Sequence, residues 1–143
     1  MAMDKLLVAY DESEGGDRAL AIAADLVRVN PNAHVDIVYV IPIPLLDEAQ
    51  MANFKEILDM MIEDGEDLVA QAQEKMGEGL EGRVDSLLLT GTNPATEIVK
   101  LVEQRDYDLL IIGNRGLSGL KEYLGSVSHK VLHASTVPVL VAK

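Results

Sequence analysis

The sixteen residues "GNRGLSGLKEYLGSVS" (Gly113–Ser128) carry four glycines and follow the apolar run "YDLLII". Glycine lacks a Cβ, so Gly113, Gly116, Gly119 and Gly125 can adopt positive φ and turn several backbone N–H groups toward one point, a nest for an anion. Ser126 and Ser128 fall where a helix is expected to begin. Their hydroxyls, the free N–H groups and the positive helix end would act together on a phosphate. Arg115 and Lys121 are the basic side chains of the segment and lie within reach of such a group. A simpler reading stands beside this one: the glycines form a tight loop and Ser126 caps the helix.

Other residues define what the chemistry is not. No G-x-x-x-x-G-K-[ST] supplies the lysine and magnesium-binding hydroxyl of a P-loop enzyme, and no G-x-G-x-x-G opens the first helix. The "GLSGL" stretch lacks the spacing of a nucleophile elbow. There are no cysteines, which removes disulfides, thiolate metal sites and thiol nucleophiles. His129 and His133 share a helix face at metal-ligating spacing, with no third ligand identifiable from the sequence. No catalytic residue and no metal site is assigned, and any nucleotide hydrolysis is expected to be weak. Twelve basic residues against 24 acidic ones give a formal charge of −12, which repels nucleic-acid backbones, so a phosphate ligand must be held by local geometry. No apolar stretch approaches a membrane span and the N-terminus carries no export pattern, so a cytoplasmic protein with neither membrane nor nucleic-acid partners is expected.

These residues need elements to position them. At 143 residues the chain suits one domain, residues 1–143. "KLLVAY" (5–10) reads as a strand covered on both faces, followed by an apolar stripe at helical spacing from Asp17 to the "NPN" at 30–32. "HVDIVYVIPIP" is a second strand, and residues 47–76 a long helix with Met51, Phe54, Ile57, Leu58, Met61, Leu68, Val69 and Ala72 on its core face and Gly65 as a possible bend. "GRVDSLLLTG", "YDLLIIG" and "TVPVLVAK" are further strands. Between them lie a helix over 93–104, capped by Asn93 with Pro94 at its first position, and another over 126–135. The alternation βαβαβαβαβ predicts an α/β fold, an open parallel sheet with helices on both faces, whose ligands bind beyond the carboxyl ends of the strands. Gly113 sits at such an end.

Three separated segments, "KLLVAYDESEGGDRAL", "GTNPATEIVKLVEQRDYDLLIIG" and "GNRGLSGLKEYLGSVSHKVLHASTVPVLVAK", together resemble the universal stress protein family across essentially the whole chain. The resemblance implies a five-stranded parallel sheet of the adenine nucleotide alpha hydrolase-like (Rossmann-like) type. It implies a homodimer formed through the last strand, and an ATP-binding loop of the pattern G-x2-G-x9-G-[ST]. Gly113 and Gly116 match the first two glycines, and Gly125 and Ser126 the closing pair, followed by Val127 and Ser128. The resemblance further implies that Asp11 contacts the adenosine, that Val40 meets the adenine through its backbone, and that Ala9, Tyr10 and Ile112 line the same cleft. Arg115 would reach the phosphates, with Mg or Mn offsetting the ligand charge. This chain departs from the pattern by having eight residues between Gly116 and Gly125 in place of nine, and Glu12 where glycine is common. The shorter loop suits AMP or ADP better than ATP. The implied function is an adenine-nucleotide-binding stress-response module acting as a sensor. A slow ATP hydrolase and a dimeric scaffold with no nucleotide are the alternatives.

Overall fold

The computed structural model describes residues 2–114 and 125–143. Five strands and four helices alternate: β1 (Lys5–Ala9), α1 (Glu14–Val29), β2 (His34–Pro42), α2 (Glu48–Lys75), β3 (Val84–Gly91), α3 (Pro94–Gln104), β4 (Leu109–Gly113), α4 (Ser126–Ala134) and β5 (Val139–Ala142). All pairings are parallel and the strand order is β3-β2-β1-β4-β5. The chain first builds outward from β1 through β2 to β3, then crosses back to place β4 on the other side of β1. The order therefore reverses between β1 and β4, where the strand ends part and leave a crevice.

Helices α1 and α2 cover one face of the sheet, and α3 and α4 the other. Leu6, Val8, Val35, Ile37 and Ile111 point into the first core, while Leu7, Val38, Leu110 and Ile112 point into the second. This is the two-residue period of a strand buried on both sides. In α1, Ala19, Leu20, Ala23, Ala24 and Val27 are all buried, at the spacing that keeps one helical stripe against the sheet.

The helix starts have chemical causes. Ser13 caps α1 by accepting from the Gly16 N–H at 3.0 Å, so the helix begins three residues earlier than the apolar stripe alone indicates. Asp47 and Gln50 form a reciprocal capping box on α2, with bonds of 2.8 and 3.0 Å. Asn93 accepts from the Thr96 N–H at 3.3 Å, with Pro94 opening α3 as expected.

β3 and β5 are the two edges of the sheet, and most of their residues are half-buried. The pairing with a second copy expected of the C-terminal strand would run along β5. One expectation is corrected in part: in α2, full burial is confined to the C-terminal half, at Gly65, Val69 and Ala72, while Phe54, Leu58, Met61 and Leu68 of the expected face are half-buried. Met51, Ile57 and Met60 are exposed, since the sheet does not extend beneath the first turns. α2 runs through Gly65 without interruption. A Cβ there would lie 2.8 Å from Leu88 Cδ1 and 3.1 Å from Ile41 Cδ1, so the glycine sets how closely α2 approaches β2 and β3.

Candidate functional site

A cleft of about 310 Å³ opens at the carboxyl ends of β1, β2 and β4, where the strand order reverses. Sheet register builds its floor. Ala9 stands opposite Val38 on one side and Ile112 on the other, so three apolar residues from three strands meet at the same level. Val40, two residues further along β2, continues that floor. The Ala95 side of α3 closes over it through Pro94 and Ile98.

Asp11 lies just past β1 and is half-buried at the cleft. Its Oδ1 accepts from the Ser13 N–H at 3.1 Å and from the Ser13 hydroxyl at 2.5 Å. Among the described residues no hydrogen bond reaches Oδ2. One oxygen thus fixes the entry to α1 while the other retains acceptor capacity. The intervening Glu12 has φ 58°, the left-handed region. A glycine would adopt this without strain. Tyr10 touches the cleft, but its ring belongs to the opposite core. Its hydroxyl donates to Asp17 Oδ1 at 3.1 Å and accepts from Lys75 Nζ at 3.1 Å. Tyr39, between the two floor positions of β2, also lines the cleft. The two-residue period directs its side chain to the α2 face, where it borders a second pocket with Glu12, Asp64, Gly65 and Leu68. Burial pushes its phenol above the ordinary range, and the Glu12 and Asp11 carboxylates add to the rise.

On the far side stands the start of α4. Gly125 occupies the N-cap position with φ −61° and ψ 154°, and no side chain caps the helix. Ser126 is the first helical residue, which removes its capping role. Ser126, Val127 and Ser128 line the cleft at the end of the helix where unpaired N–H groups and the positive dipole end lie. The Ser128 hydroxyl is turned inward and donates to the Gly113 carbonyl at 2.5 Å, tying α4 to β4. Its hydroxyl is thereby engaged, and its N–H is what it can offer a ligand.

The nest expected of the glycines is not carried by the two that are described. Among the described glycines positive φ occurs at Gly77, Gly79 and Gly82, not at Gly113 or Gly125. Gly113 is required for a different reason. A Cβ there would lie 2.6 Å from the Gly15 carbonyl carbon, because the first turn of α1 packs directly on the end of β4. Past Gly113, the Asn114 N–H extends β4 by donating to Ala142 O at 2.9 Å. The Gly125 N–H donates to Asn114 O at 2.6 Å, so the residues flanking positions 115–124 are clasped together. Arg115, Gly116, Gly119 and Lys121 lie outside the described residues.

Every described residue expected at the site (Ala9, Tyr10, Asp11, Val40, Ile112, Gly113 and Gly125–Ser128) borders this one cleft. Val38, Tyr39, Pro42, Pro94 and Ile98 were not anticipated. Strand pairing was the missing signal for Val38, since its place beside Ala9 depends on register. His129 and His133 lie elsewhere, on a groove between α3 and α4, with ring centroids 4.5 Å apart. Among the described residues no third metal-ligating group joins them.

The sequence model of the universal stress protein family matches residues 3–143 of the chain. The universal stress protein YxiE of Bacillus subtilis is 32% identical over 98% of this chain and 99% of its own length. The structure of UspA from Lactobacillus plantarum superposes with a TM-score of 0.88 over 100% of this chain and 99% of that one, at 20% identity. The universal stress protein from Archaeoglobus fulgidus in complex with dAMP superposes with a TM-score of 0.60 at 20% identity, covering 99% and 98% of the two chains.

Proposed function

The chain belongs to the universal stress protein family, and we propose that it binds an adenine nucleotide in the cleft beyond β1, β2 and β4, as a stress-response module whose surface or partners change with occupancy. The observation that supports this best is the pairing of an apolar slot with an uncapped helix start at one end. The slot of about 310 Å³ is bordered by Val38, Val40 and Ile98, and the helix start by Gly125 and Ser126. An aromatic base and an anionic phosphate are the two chemistries such a site accommodates together.

In this reading the base lies on Val40 and the neighbouring apolar residues, with Ala9 and Ile112 beneath it. Asp11 accepts from the ribose through Oδ2. The phosphate meets the N–H groups of the first turn of α4 and the Ser126 hydroxyl, while Arg115 and Gly116 belong to the segment that follows β4. The dAMP complex of the Archaeoglobus relative supports an adenine ligand with a single phosphate, in keeping with the loop shortened by one residue. A longer phosphate chain would need Mg or Mn to offset its charge on this acidic protein.

Calorimetric titration of AMP, ADP and ATP with magnesium tests the reading, with Ser126→Asp as the informative variant. An aspartate in the first helical turn favours the helix while repelling a phosphate at the same point. Saturable binding that weakens by about 10-fold or more in Ser126→Asp is expected, one charge contact being worth on the order of 1.4 kcal/mol. No saturable binding by any of the three nucleotides would leave the cleft without this role.

A further inference from the structure

We propose that His34, Asp36 and Asp85 form a second site, which takes a divalent transition cation of the zinc class. The sheet itself assembles it. His34 and Asp36 are two apart on β2 and so share a face, and Asp85 on β3 is the register partner of Asp36. The ligand atoms of all three lie within 4.8 Å of one another. His34 Nε2 is 2.9 Å from Asp85 Oδ2 and 3.4 Å from Asp36 Oδ1. Two ligands bound at about 2.0–2.2 Å to one tetrahedral ion stand roughly 3.4 Å apart, so the trio already lies near coordination spacing.

Three further features point to a cation and not merely to an ion pair. First, a ring nitrogen carries one proton at most, yet His34 Nε2 faces two carboxylate oxygens. A hydrogen bond satisfies one of them, whereas an ion between the three serves both. Second, directly opposed like charges in a sheet are destabilising, and Asp36 and Asp85 are such a pair in a chain of formal charge −12. Third, Asp36 is held from behind. It is only 6% exposed, and its Oδ2 accepts from the Tyr107 hydroxyl at 2.6 Å and faces Arg105 Nη1 at 3.6 Å. That leaves Oδ1 directed at His34. A ligand oriented by an outer hydrogen bond is the usual construction of a metal site.

The Asp85 side chain is 71% exposed and His34 35%, so a hydrated ion has an open approach and water can complete the coordination. The site lies at the amino ends of β2 and β3, the opposite end of the parallel sheet from the cleft, and is independent of nucleotide binding there. Imidazole with two carboxylates suits zinc and its first-row neighbours better than calcium or magnesium.

The test is calorimetric titration of zinc chloride into the full, tag-free chain after chelator treatment, with circular dichroism to check each variant's fold. Wild type should take one equivalent. His34→Ala and Asp85→Asn, both at solvent-accessible side chains, should each weaken binding by at least about 10-fold, since even an outer-sphere partner is worth about 10–100-fold. A His129→Ala/His133→Ala double variant should bind as wild type does. Cobalt(II) titrated in place of zinc should give a visible absorption band that Asp85→Asn abolishes. Absence of binding to wild type, unchanged affinity in His34→Ala and Asp85→Asn, or loss of binding in the His129/His133 variant would each overturn the proposal.

Discussion

Glu12 holds a left-handed backbone at φ 58°, which costs a residue bearing a Cβ about 1–2 kcal/mol. Its side chain is exposed, so no packing depends on it. Glu12→Gly removes that strain and adds unfolded-state entropy worth about 0.5–1 kcal/mol, leaving a net gain in stability of about 0.5–1 kcal/mol. Urea unfolding should show the midpoint rising with an unchanged slope; a fall would mean that Glu12 makes a stabilising contact in solution. The substitution also takes one negative charge from the mouth of the cleft. A cap such as Asn93 is legible in the chain because a capping side chain acts within three residues of itself. The demand on Glu12 is equally local, yet it arises from how β1 must turn into α1, which no residue type at that position announces.

Among the elements, the meeting of α1 with β4 is the one where the described backbone itself leaves no room for a side chain. The Gly15 backbone lies where a Cβ of Gly113 would stand, and backbone atoms of a capped helix turn cannot move aside. Gly113→Ala should therefore cost about 1–3 kcal/mol by overpacking. Gly65→Ala makes an informative contrast, because its nearest neighbour is the end of a half-buried Leu88 side chain that can rotate, and alanine in a helix recovers about 1 kcal/mol. Thermal unfolding of both variants should show a clear loss for Gly113→Ala and little change for Gly65→Ala. Equal losses would mean the α1–β4 approach is not the tighter one. The order and type of the elements were legible from the alternation of two- and 3.6-residue periods. What was not legible is where the sheet stops. Met51 and Ile57 fall at helical spacing, but whether a strand lies under them depends on β3 being the edge, a fact about pairing between distant segments. For the same reason Gly113 reads in sequence as a flexible loop residue, when its real constraint is a helix start almost a hundred positions away.

Across the whole molecule, buried phenols link the two faces of the sheet to pH. Burial is the first cause raising Tyr10, Tyr39 and Tyr107 above the ordinary 10.0, reinforced for Tyr10 by Asp17 and for Tyr107 by the hydrogen bond to Asp36. Lys75 is raised above 10.5 by its hydrogen bonds to Tyr10 and Asp17. Each folded value exceeds the unfolded one, so each contribution to stability is fully present below about pH 10 and is lost as the pH climbs through the folded values. In a Tyr123→Phe background, which leaves only these three phenols, urea midpoints should be steady between about pH 7 and pH 9 and fall by about pH 11, with tyrosinate absorbance rising late and together with unfolding. Tyrosinate appearing at the ordinary pH with the fold intact would contradict this.

The clasp between Asn114 and Gly125 has a consequence for how such a protein can change over generations. Because the Gly125 N–H and the Asn114 carbonyl join the two ends at 2.6 Å, the strand and the helix on either side are anchored without reference to the number of residues in between. The cost of closing a chain between two fixed ends depends only weakly on its length, about 0.6 kcal/mol for each doubling. A homologue with one residue more or fewer between these two anchors is therefore expected to inherit the same placement of β4 and α4.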